Sequence, residues 1–371
     1  MSEVKFYCKD QQVPLEMHKV RVVQKLFLPT VEERVAKMNA AGNNTFLLQN
    51  KDAFMDMLTD SGVNAMSDNQ MAAMMQADDS YAGSETCNRL LKSLEDVFGT
   101  KYFLPAHQGR ACENILAEAF VRPGDVIPMN FHFTTTKAHI TRLGGRVEEL
   151  VCLSGLDPRN TDPFKGNFDI PRLEALIKEV GPEHIPFVRI EAGTNLIGGQ
   201  PLSLENMLQV AALCKQYGIL SVLDASLLQD NLYFIKVREA ACKDMTIREI
   251  TRKLADAMDL IYFSARKLGF ARGGGIISNN EKLILKMKEF IPLFEGFLTY
   301  GGMEVRSMEA IAVGLQETMD EEIICQGPIF IEQLVKELDA YGVPMILPAG
   351  GLGAHINASE FLEGMPHDQY P

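Results

Sequence analysis

The feature that most constrains this chain is an alternation of short apolar runs and amphipathic stretches between about residues 85 and 290. The apolar runs lie at residues 126–129, 185–190, 220–223, 260–263 and 275–277. Apolar residues spaced three and four apart, as on one face of a helix, occupy residues 113–120, 173–180 and 204–217. Short apolar strands separated by helices are typical of a mostly parallel sheet covered on both faces. The alternation therefore predicts an α/β fold.

The flanking segments predict how the chain is divided into domains. Residues 31–41 have the pattern of a helix that stops at Gly42. Helical patterns return at 283–316 and 329–341, and a short apolar run follows at 343–347. We interpret residues 1–56 as an N-terminal arm with part of a small domain, 57–310 as a large domain, and 311–371 as an incomplete small α/β domain.

Composition excludes several classes of protein. A net charge of −13 repels nucleic acid, and no run reaches the ~18 apolar residues of a membrane span. The seven cysteines are scattered, odd in number and without a CxxC pair, which argues against disulfides and zinc. No secretory signal opens the sequence. We therefore expect a cytoplasmic enzyme with a small-molecule substrate and no membrane or nucleic-acid partner.

The end of the run at 260–263 carries a lysine suited to covalent chemistry. Ser264, Ala265, Arg266 and Lys267 follow that run directly, and three glycines follow at 273–275. A lysine at a strand end can form a Schiff base with an aldehyde cofactor, and the adjacent arginine favours loss of its proton. Ser264 adds a hydroxyl that suits a phosphate. A surface Arg-Lys pair is the plainer interpretation of this tetrapeptide taken alone.

Three other predicted strand ends carry polar residues. Asp224 follows 220–223, and a buried aspartate there needs a cationic partner such as a protonated pyridine nitrogen; a helix N-cap is the alternative. The HQGR motif at 107–110 precedes a helix predicted near Ala111 and offers backbone amides and an arginine to an anion. Phe133 opens an FTTT motif after 126–129, where it either covers a cofactor ring or packs in the core.

The order and wording of these motifs resemble the tyrosine phenol-lyase and tryptophanase family of β-eliminating lyases, which use pyridoxal 5'-phosphate (PLP). The resemblance covers essentially the whole chain. It is carried by nine short motifs: LTDSG at 58–62, NAMSD at 64–68, YAGSE at 81–85, HQGR at 107–110, FTTT at 133–136, NLIGGQPLS at 195–203, NLYFIK at 231–236, SARK at 264–267 and YGG at 300–302. It implies the aspartate-aminotransferase fold, fold type I of the PLP-dependent transferases.

The resemblance also implies a role for each site residue. Lys267 would hold PLP as a Schiff base and remove the Cα proton, Asp224 would hold the ring nitrogen, and Tyr81 would protonate the leaving group. Asn195 would contact the ring's phenolic oxygen and Phe133 would stack on the ring. The phosphate would be bound by Gln108, Gly109, Arg110, Ser264 and Arg266, and the substrate would be lined by Thr59, Ser61 and Thr134. Pyruvate and ammonia would be the products.

The resemblance further implies a homodimer or homotetramer with a potassium ion near the interface. Gly62, Asp79 and Arg272 stand at the matching cation positions, although the family has a glutamate and an asparagine at the last two. An inward-turned Arg272 guanidinium would replace the ion. Thr134 resembles the phenol-lyase version of the site, whereas residues 238–244 resemble tryptophanase. The balance favours a tyrosine phenol-lyase type.

Three departures from the family pattern accompany these matches. Leu227 stands where the family has an arginine, Leu352 stands where it has a histidine, and the chain ends at Pro371 while family members continue. From these departures we expect a chain that binds PLP but turns over aromatic amino acids poorly. A carbon–sulfur lyase acting on cysteine-type substrates, and a non-catalytic PLP-binding relative or fragment, remain the alternatives.

Overall fold

The computed structural model describes residues 5–8, 10–19, 25–56, 58 and 65–370. Within these residues the strands are, in chain order, β1 (Phe6–Cys8), β2 (Gln11–Val13), β3 (Tyr102–Ala106), β4 (Val126–Met129), β5 (Arg146–Glu149), β6 (Phe187–Glu191), β7 (Leu220–Asp224), β8 (Leu260–Ser264) and β9 (Gly274–Ser278). All five predicted apolar runs form strands, and two further strands, β3 and β5, join them in the main sheet.

Helices separate most of the strands. They are α1 (Val31–Ala40), α2 (Asp68–Met74), α3 (Glu85–Phe98), α4 (Gly109–Phe120), α5 (Thr134–Arg142), α6 (Ile170–Val180), α7 (Leu204–Tyr217), α8 (Leu228–Arg238), α9 (Ile247–Ala257), α10 (Glu281–Lys288), α11 (Phe290–Phe294), α12 (Val305–Glu317), α13 (Glu321–Ile324), α14 (Gln326–Ala340) and α15 (Ala358–Phe361). Local capping explains several boundaries. The Ser203 side chain accepts from the backbone of Asn206 at the start of α7, and Gly218 ends that helix in the left-handed conformation.

The main sheet has seven strands in the order β3-β9-β8-β7-β6-β4-β5. The pairs from β8 through to β5 are parallel, whereas β9 runs antiparallel to both β8 and β3. The prediction of a mostly parallel sheet is therefore confirmed. In the register, Glu191 lies opposite Asp224, and Asp224 lies opposite Tyr262. Three polar side chains thus come to adjacent positions at the carboxyl ends of β6, β7 and β8.

Each face of the sheet is buried in its own hydrophobic cluster. Leu223 and Ile261 belong to one cluster, while their strand neighbours Val222 and Tyr262 belong to the other. Successive side chains of a strand point to opposite faces, so both faces must be covered by helices to bury both sets. This arrangement excludes water from the sheet interior and leaves the strand ends as the place where polar groups can meet a ligand.

The C-terminal part has a small third cluster around Val335, Met345 and Ala349. The helix expected at 329–341 is present as α14, but the apolar run at 343–347 forms only one bridge, between Met345 and Ile356. The strand expected there was therefore wrong, because no neighbouring strand in the described part pairs with more than one residue of the run. Among the described helices, none is both long and apolar enough to cross a membrane.

Candidate active site

The loop after β3 and the end of β8 are in direct contact. A Cβ atom added to Gly109 would lie 2.8 Å from the Cβ atom of Ser264, and one added to Gly274 would lie 3.1 Å from the backbone nitrogen of Gly109. Glycine is therefore required where the first turn of α4 crosses β8 and β9. The structure thus brings together Gln108, Gly109 and Ser264, three of the predicted phosphate ligands.

The two predicted phosphate-binding arginines differ from each other in exposure. Arg110 is exposed on α4 and Arg266 is half-buried beyond the end of β8. Gln108 is the N-cap residue of α4, but its side chain does not cap the helix. The backbone of Gln108 and Gly109, at the N-terminal end of α4 where helices attract anions, therefore lies beside the ends of β8 and β9.

Lys267 lies on a tight turn directly after β8. Its backbone nitrogen donates to the Ser264 carbonyl at 3.3 Å, and Phe270 donates to the Lys267 carbonyl at 3.3 Å. Phe270 has φ of 50°, a conformation that costs a non-glycine residue free energy and that is maintained only by the surrounding structure. The Lys267 side chain is half-buried. The lysine is therefore held one turn away from Ser264.

Asp224 is buried and bound to a cation of its own chain. Its Oδ2 atom accepts from Arg189 Nη2 at 2.5 Å and from the Tyr262 hydroxyl at 2.9 Å, while Oδ1 accepts from the Ser226 backbone at 3.0 Å. The N-cap of α8 is Leu227, so the alternative of Asp224 as a helix cap is excluded. The cationic partner expected for a buried aspartate is thus present within the protein, and one acceptor position of Oδ1 has no partner among the described residues.

Asn195 is connected to the same group through Glu191. The Asn195 backbone nitrogen donates to Glu191 Oε1 at 3.0 Å, and Arg189 Nη1 donates to Glu191 Oε2 at 2.7 Å. Asn130 secures this turn, because its Oδ1 accepts from the Glu191 backbone at 2.9 Å and its Nδ2 donates to Thr194 Oγ1 at 2.8 Å. The position of Asn195 is therefore coupled to Asp224 through buried hydrogen bonds.

The FTTT motif begins α5 beside the first turns of α4. Phe133 is the half-buried N-cap residue and Thr134 is exposed. The hydroxyls of Thr135 and Thr136 each donate to a separate oxygen of Glu113 on α4, both at 2.5 Å. Burial raises the pKa of Glu113 to about 7, against the opposing effect of Arg189. These bonds fix Phe133 and Thr134 next to the helix that starts at Gly109.

The two leucine departures lie near the site. Leu227 is buried, and a Cβ added to Gly193 would lie 2.9 Å from its Cβ, so the leucine packs directly under the turn that carries Asn195. Leu352 has φ of 70°. It lies in a segment docked on the same region, where Gly351 donates to the Gly199 carbonyl at 3.0 Å.

The other predicted residues that the structure describes, Tyr81, Asp79 and Arg272, are exposed. Tyr81 is 64% exposed and its ring stacks on Phe297 with 4.3 Å between centroids. No described contact joins it to Asp224 or Lys267. Thr59, Ser61 and Gly62 lie outside the described residues.

Sequence reasoning missed the buried polar residues Arg189, Glu191, Tyr262 and Glu113. Arg189 falls inside the run at 185–190 that we treated as apolar, although it is only 1% exposed. A charged residue within a doubly buried strand needs a partner at a neighbouring position, and that was the available signal. Glu191, two residues later, lies on the same face of β6.

The residues present fit a phosphorylated pyridine aldehyde. The first turn of α4 lies directly against Ser264 at the end of β8, which places a helix N-terminus and a hydroxyl-bearing residue side by side, as a phosphate site requires. Asp224 Oδ1 accepts one hydrogen bond and has a second acceptor position for a protonated ring nitrogen, and Lys267 lies on the turn that follows the neighbouring strand β8. These three features match the phosphate, the ring nitrogen and the aldehyde of PLP, respectively.

Comparison with known proteins agrees with this geometry. The family model described as beta-eliminating lyase matches residues 56–357. The tyrosine phenol-lyase of Pasteurella multocida is 40% identical over 359 residues, which cover 96% of this chain and 78% of that protein. The tyrosine phenol-lyase of Symbiobacterium thermophilum is 39% identical, with the same two coverages.

Solved structures show the fold. Bna3p from Saccharomyces cerevisiae matches with a TM-score of 0.63 and 17% identity, over 92% of this chain and 79% of that one. Threonine aldolase from Leishmania major matches with a TM-score of 0.61 and 18% identity, over 80% and 82%. The predicted fold class, fold type I of the PLP-dependent enzymes, is confirmed.

Proposed function

The chain belongs to the beta-eliminating lyase family of PLP-dependent enzymes, and from that membership we propose that it is a carbon–carbon lyase of the tyrosine phenol-lyase type. It would cleave the bond between Cβ and the side-chain substituent of an aromatic amino acid, with tryptophan as the next candidate after tyrosine. The three-carbon remainder would hydrolyse to pyruvate and ammonia.

One observation carries this proposal: Gly109, Ser264, Asp224 and the Asn195 turn converge on the strand end that precedes Lys267. PLP, when bound, supplies a conjugated ring that delocalises the electron pair left at Cα. Gln108, Gly109, Arg110, Ser264 and Arg266 would hold its phosphate. Asp224 would hold its ring nitrogen, Asn195 its phenolic oxygen and Phe133 one face of its ring.

The proton transfers would use two residues. Lys267 Nζ would take the proton from Cα, and Tyr81 Oη would give a proton to the departing substituent as its bond to Cβ breaks. Thr134, Thr59 and Ser61 would line the substrate. The exposure of Tyr81 supports an active site shared between subunits, in which Tyr81 contributes to the site of a second copy of the chain.

A shared active site of this kind would make the enzyme a homodimer or homotetramer. A potassium ion near Gly62, Asp79 and Arg272, and a cytoplasmic location, belong to the same proposal. So does the division into residues 1–56, 57–310 and 311–371. The separate hydrophobic cluster around Val335 supports a C-terminal unit, although the main cluster extends as far as Cys325.

A second candidate function is favoured by Leu227. Its apolar side chain is buried under the Asn195 turn, where the family pattern has a charge. A site with less polar contact for an aromatic substrate would suit a carbon–sulfur lyase acting on cysteine-type amino acids. A PLP-binding relative without turnover is the remaining alternative.

The test is to load the purified protein with PLP, reduce it with borohydride and map the modified peptide. We expect the reduced cofactor on Lys267 and none bound covalently in the Lys267→Ala variant. Pyruvate is then measured with tyrosine, tryptophan and cysteine, together with phenol, indole and sulfide. Sulfide alone would replace the proposal with the second candidate, and modification at another lysine would overturn the assigned site.

A further inference from the structure

The buried group of Arg189, Glu191, Asp224 and Tyr262 contains two charged residues, Arg189 and Glu191, in addition to the one carboxylate that a ring nitrogen needs. Arg189 lies in β6 between two carboxylates, with Nη1 2.7 Å from Glu191 Oε2 and Nη2 2.5 Å from Asp224 Oδ2. Its Nε donates to the Tyr262 hydroxyl at 2.8 Å. Arg189, Glu191 and Asp224 are each at least 95% buried, so their charges act on one another with little screening by water.

A cation so close to Asp224 poses an electrostatic problem for cofactor binding. If Arg189 were paired with Asp224 alone, the pair would be neutral and a protonated ring nitrogen would add an uncompensated buried charge. Glu191 removes that problem. With Glu191 ionised, one cation faces two carboxylates, and one negative charge remains for the ring nitrogen.

Besides the three charged residues, the described groups that titrate and act on this set include Tyr262 itself, Glu113 on α4 and Cys112 beside Glu113. Burial raises the pKa of each, to about 7 for Glu113, which favours the uncharged form of all three in mildly acidic solution. Burial also raises the pKa of Glu191. Unlike the other three groups, however, Glu191 accepts hydrogen bonds from the Arg189 guanidinium and the Asn195 backbone, and both contacts favour its ionised form. The charge count therefore rests on Arg189, Glu191 and Asp224.

We propose that Glu191 and Arg189 are positioning residues for cofactor binding: Glu191 neutralises Arg189, so that Asp224 is oriented by the arginine yet keeps its negative charge for the ring nitrogen. The inference rests on the proposed function, because it assumes that Asp224 receives that nitrogen. Glu191 has a second contact, the Asn195 backbone, so neutralisation and the placement of Asn195 depend on one side chain.

The proposal predicts a reversal between single and double variants. Glu191→Gln leaves Arg189 facing Asp224 alone, so the ring nitrogen should lose its proton and PLP should bind about tenfold more weakly, equivalent to a shift of one pKa unit. Arg189→Met combined with Glu191→Gln removes one charge of each sign. It should return the ring nitrogen to its protonated state and bring affinity back towards that of the wild type.

The experiment uses ¹⁵N-labelled PLP bound to the full chain at about pH 6, with the ring ¹⁵N chemical shift reporting protonation and a fluorescence titration reporting affinity. A double variant as deprotonated or as weakly binding as Glu191→Gln would overturn the proposal, because a structural role predicts additive damage. So would a Glu191→Gln variant that matches the wild type.

Arg189→Met alone provides an independent test if Glu191→Gln fails to fold. Removal of the cation should keep the ring nitrogen protonated, and a deprotonated nitrogen in this variant would also overturn the proposal. If the proposed function itself is wrong, the wild-type protein will carry no PLP on Lys267. That result is seen without any comparison among the variants, so it is distinct from a failure of the inference about Glu191.

Discussion

The Nζ atom of Lys165 donates a hydrogen bond of 2.6 Å to the backbone carbonyl of Leu347, 182 residues further along the chain. It also donates to the Asp157 carbonyl at 2.6 Å, and the residue is fully buried. A buried lysine that bridges two main-chain carbonyls joins the C-terminal segment to a loop of the large sheet domain. That segment continues into Gly351, which docks beside the Asn195 turn.

Replacement of Lys165 by methionine should lower the free energy of unfolding by about 3 kcal/mol, because two buried carbonyls lose a charged donor. The measurement is urea unfolding of the apoprotein. Lys215→Met, at an exposed position near the end of α7, is the control and should change stability by less than about 0.5 kcal/mol. Equal effects of the two substitutions would show that the bridge does not stabilise the fold.

Replacement of Gly109 by alanine should weaken PLP binding by about tenfold or more while the protein stays folded. The new Cβ would lie 2.8 Å from Ser264 Cβ and 3.3 Å from its Cα, so the phosphate loop must move away from β8. Cofactor titration measures the effect. Gly327→Ala on α14, where a Cβ meets nothing within 4 Å, is the matched control. A wild-type affinity for PLP in the Gly109→Ala variant would show that the contact between Gly109 and Ser264 does not affect cofactor binding.

Glu113 should make the protein less stable as pH rises. Its pKa is about 7 in the folded protein against an ordinary value of 4.5, so the folded state holds the proton more tightly. The stability it contributes is fully present below about pH 4.5 and is lost as pH rises through 7. The neutral variant Glu113→Gln should therefore gain about 2–3 kcal/mol relative to wild type between pH 4.5 and 8. Unfolding curves at several pH values test this, and parallel profiles would contradict it.

Tyr81→Phe should reduce turnover of tyrosine by about 10²–10⁴-fold, the range of a lost general acid, without loss of bound PLP. An amino acid whose β-substituent departs without protonation should be affected far less. Tyr300→Phe, whose ring lies 6.2 Å from that of Tyr81, is the control and should stay near wild type. Equal losses on both substrates would argue that Tyr81 positions the loop and transfers no proton.

Much of the fold was predictable because its determinants are local. Residues 204–217 and 126–129 form α7 and β4 with the expected bounds, since periodicity and the residues Ser203 and Gly218 act within one element. The run at 343–347 failed for the complementary reason. A strand needs a continuous ladder with one neighbouring strand. In this run Met345 forms an isolated bridge with Ile356, while Leu347 donates to a different segment, at the Pro158 carbonyl.

The sequence by itself determined the α/β class and the polar residues at the strand ends, because alternation and strand–helix order depend on neighbours along the chain. Only the tertiary structure decided what those residues meet. Asp224 lies 35 positions from Arg189 in the chain, yet their side chains are 2.5 Å apart because β6 and β7 are adjacent and in register. Strand order and register are set by packing of the whole sheet, so the charge that surrounds Asp224 is a property of the assembled fold.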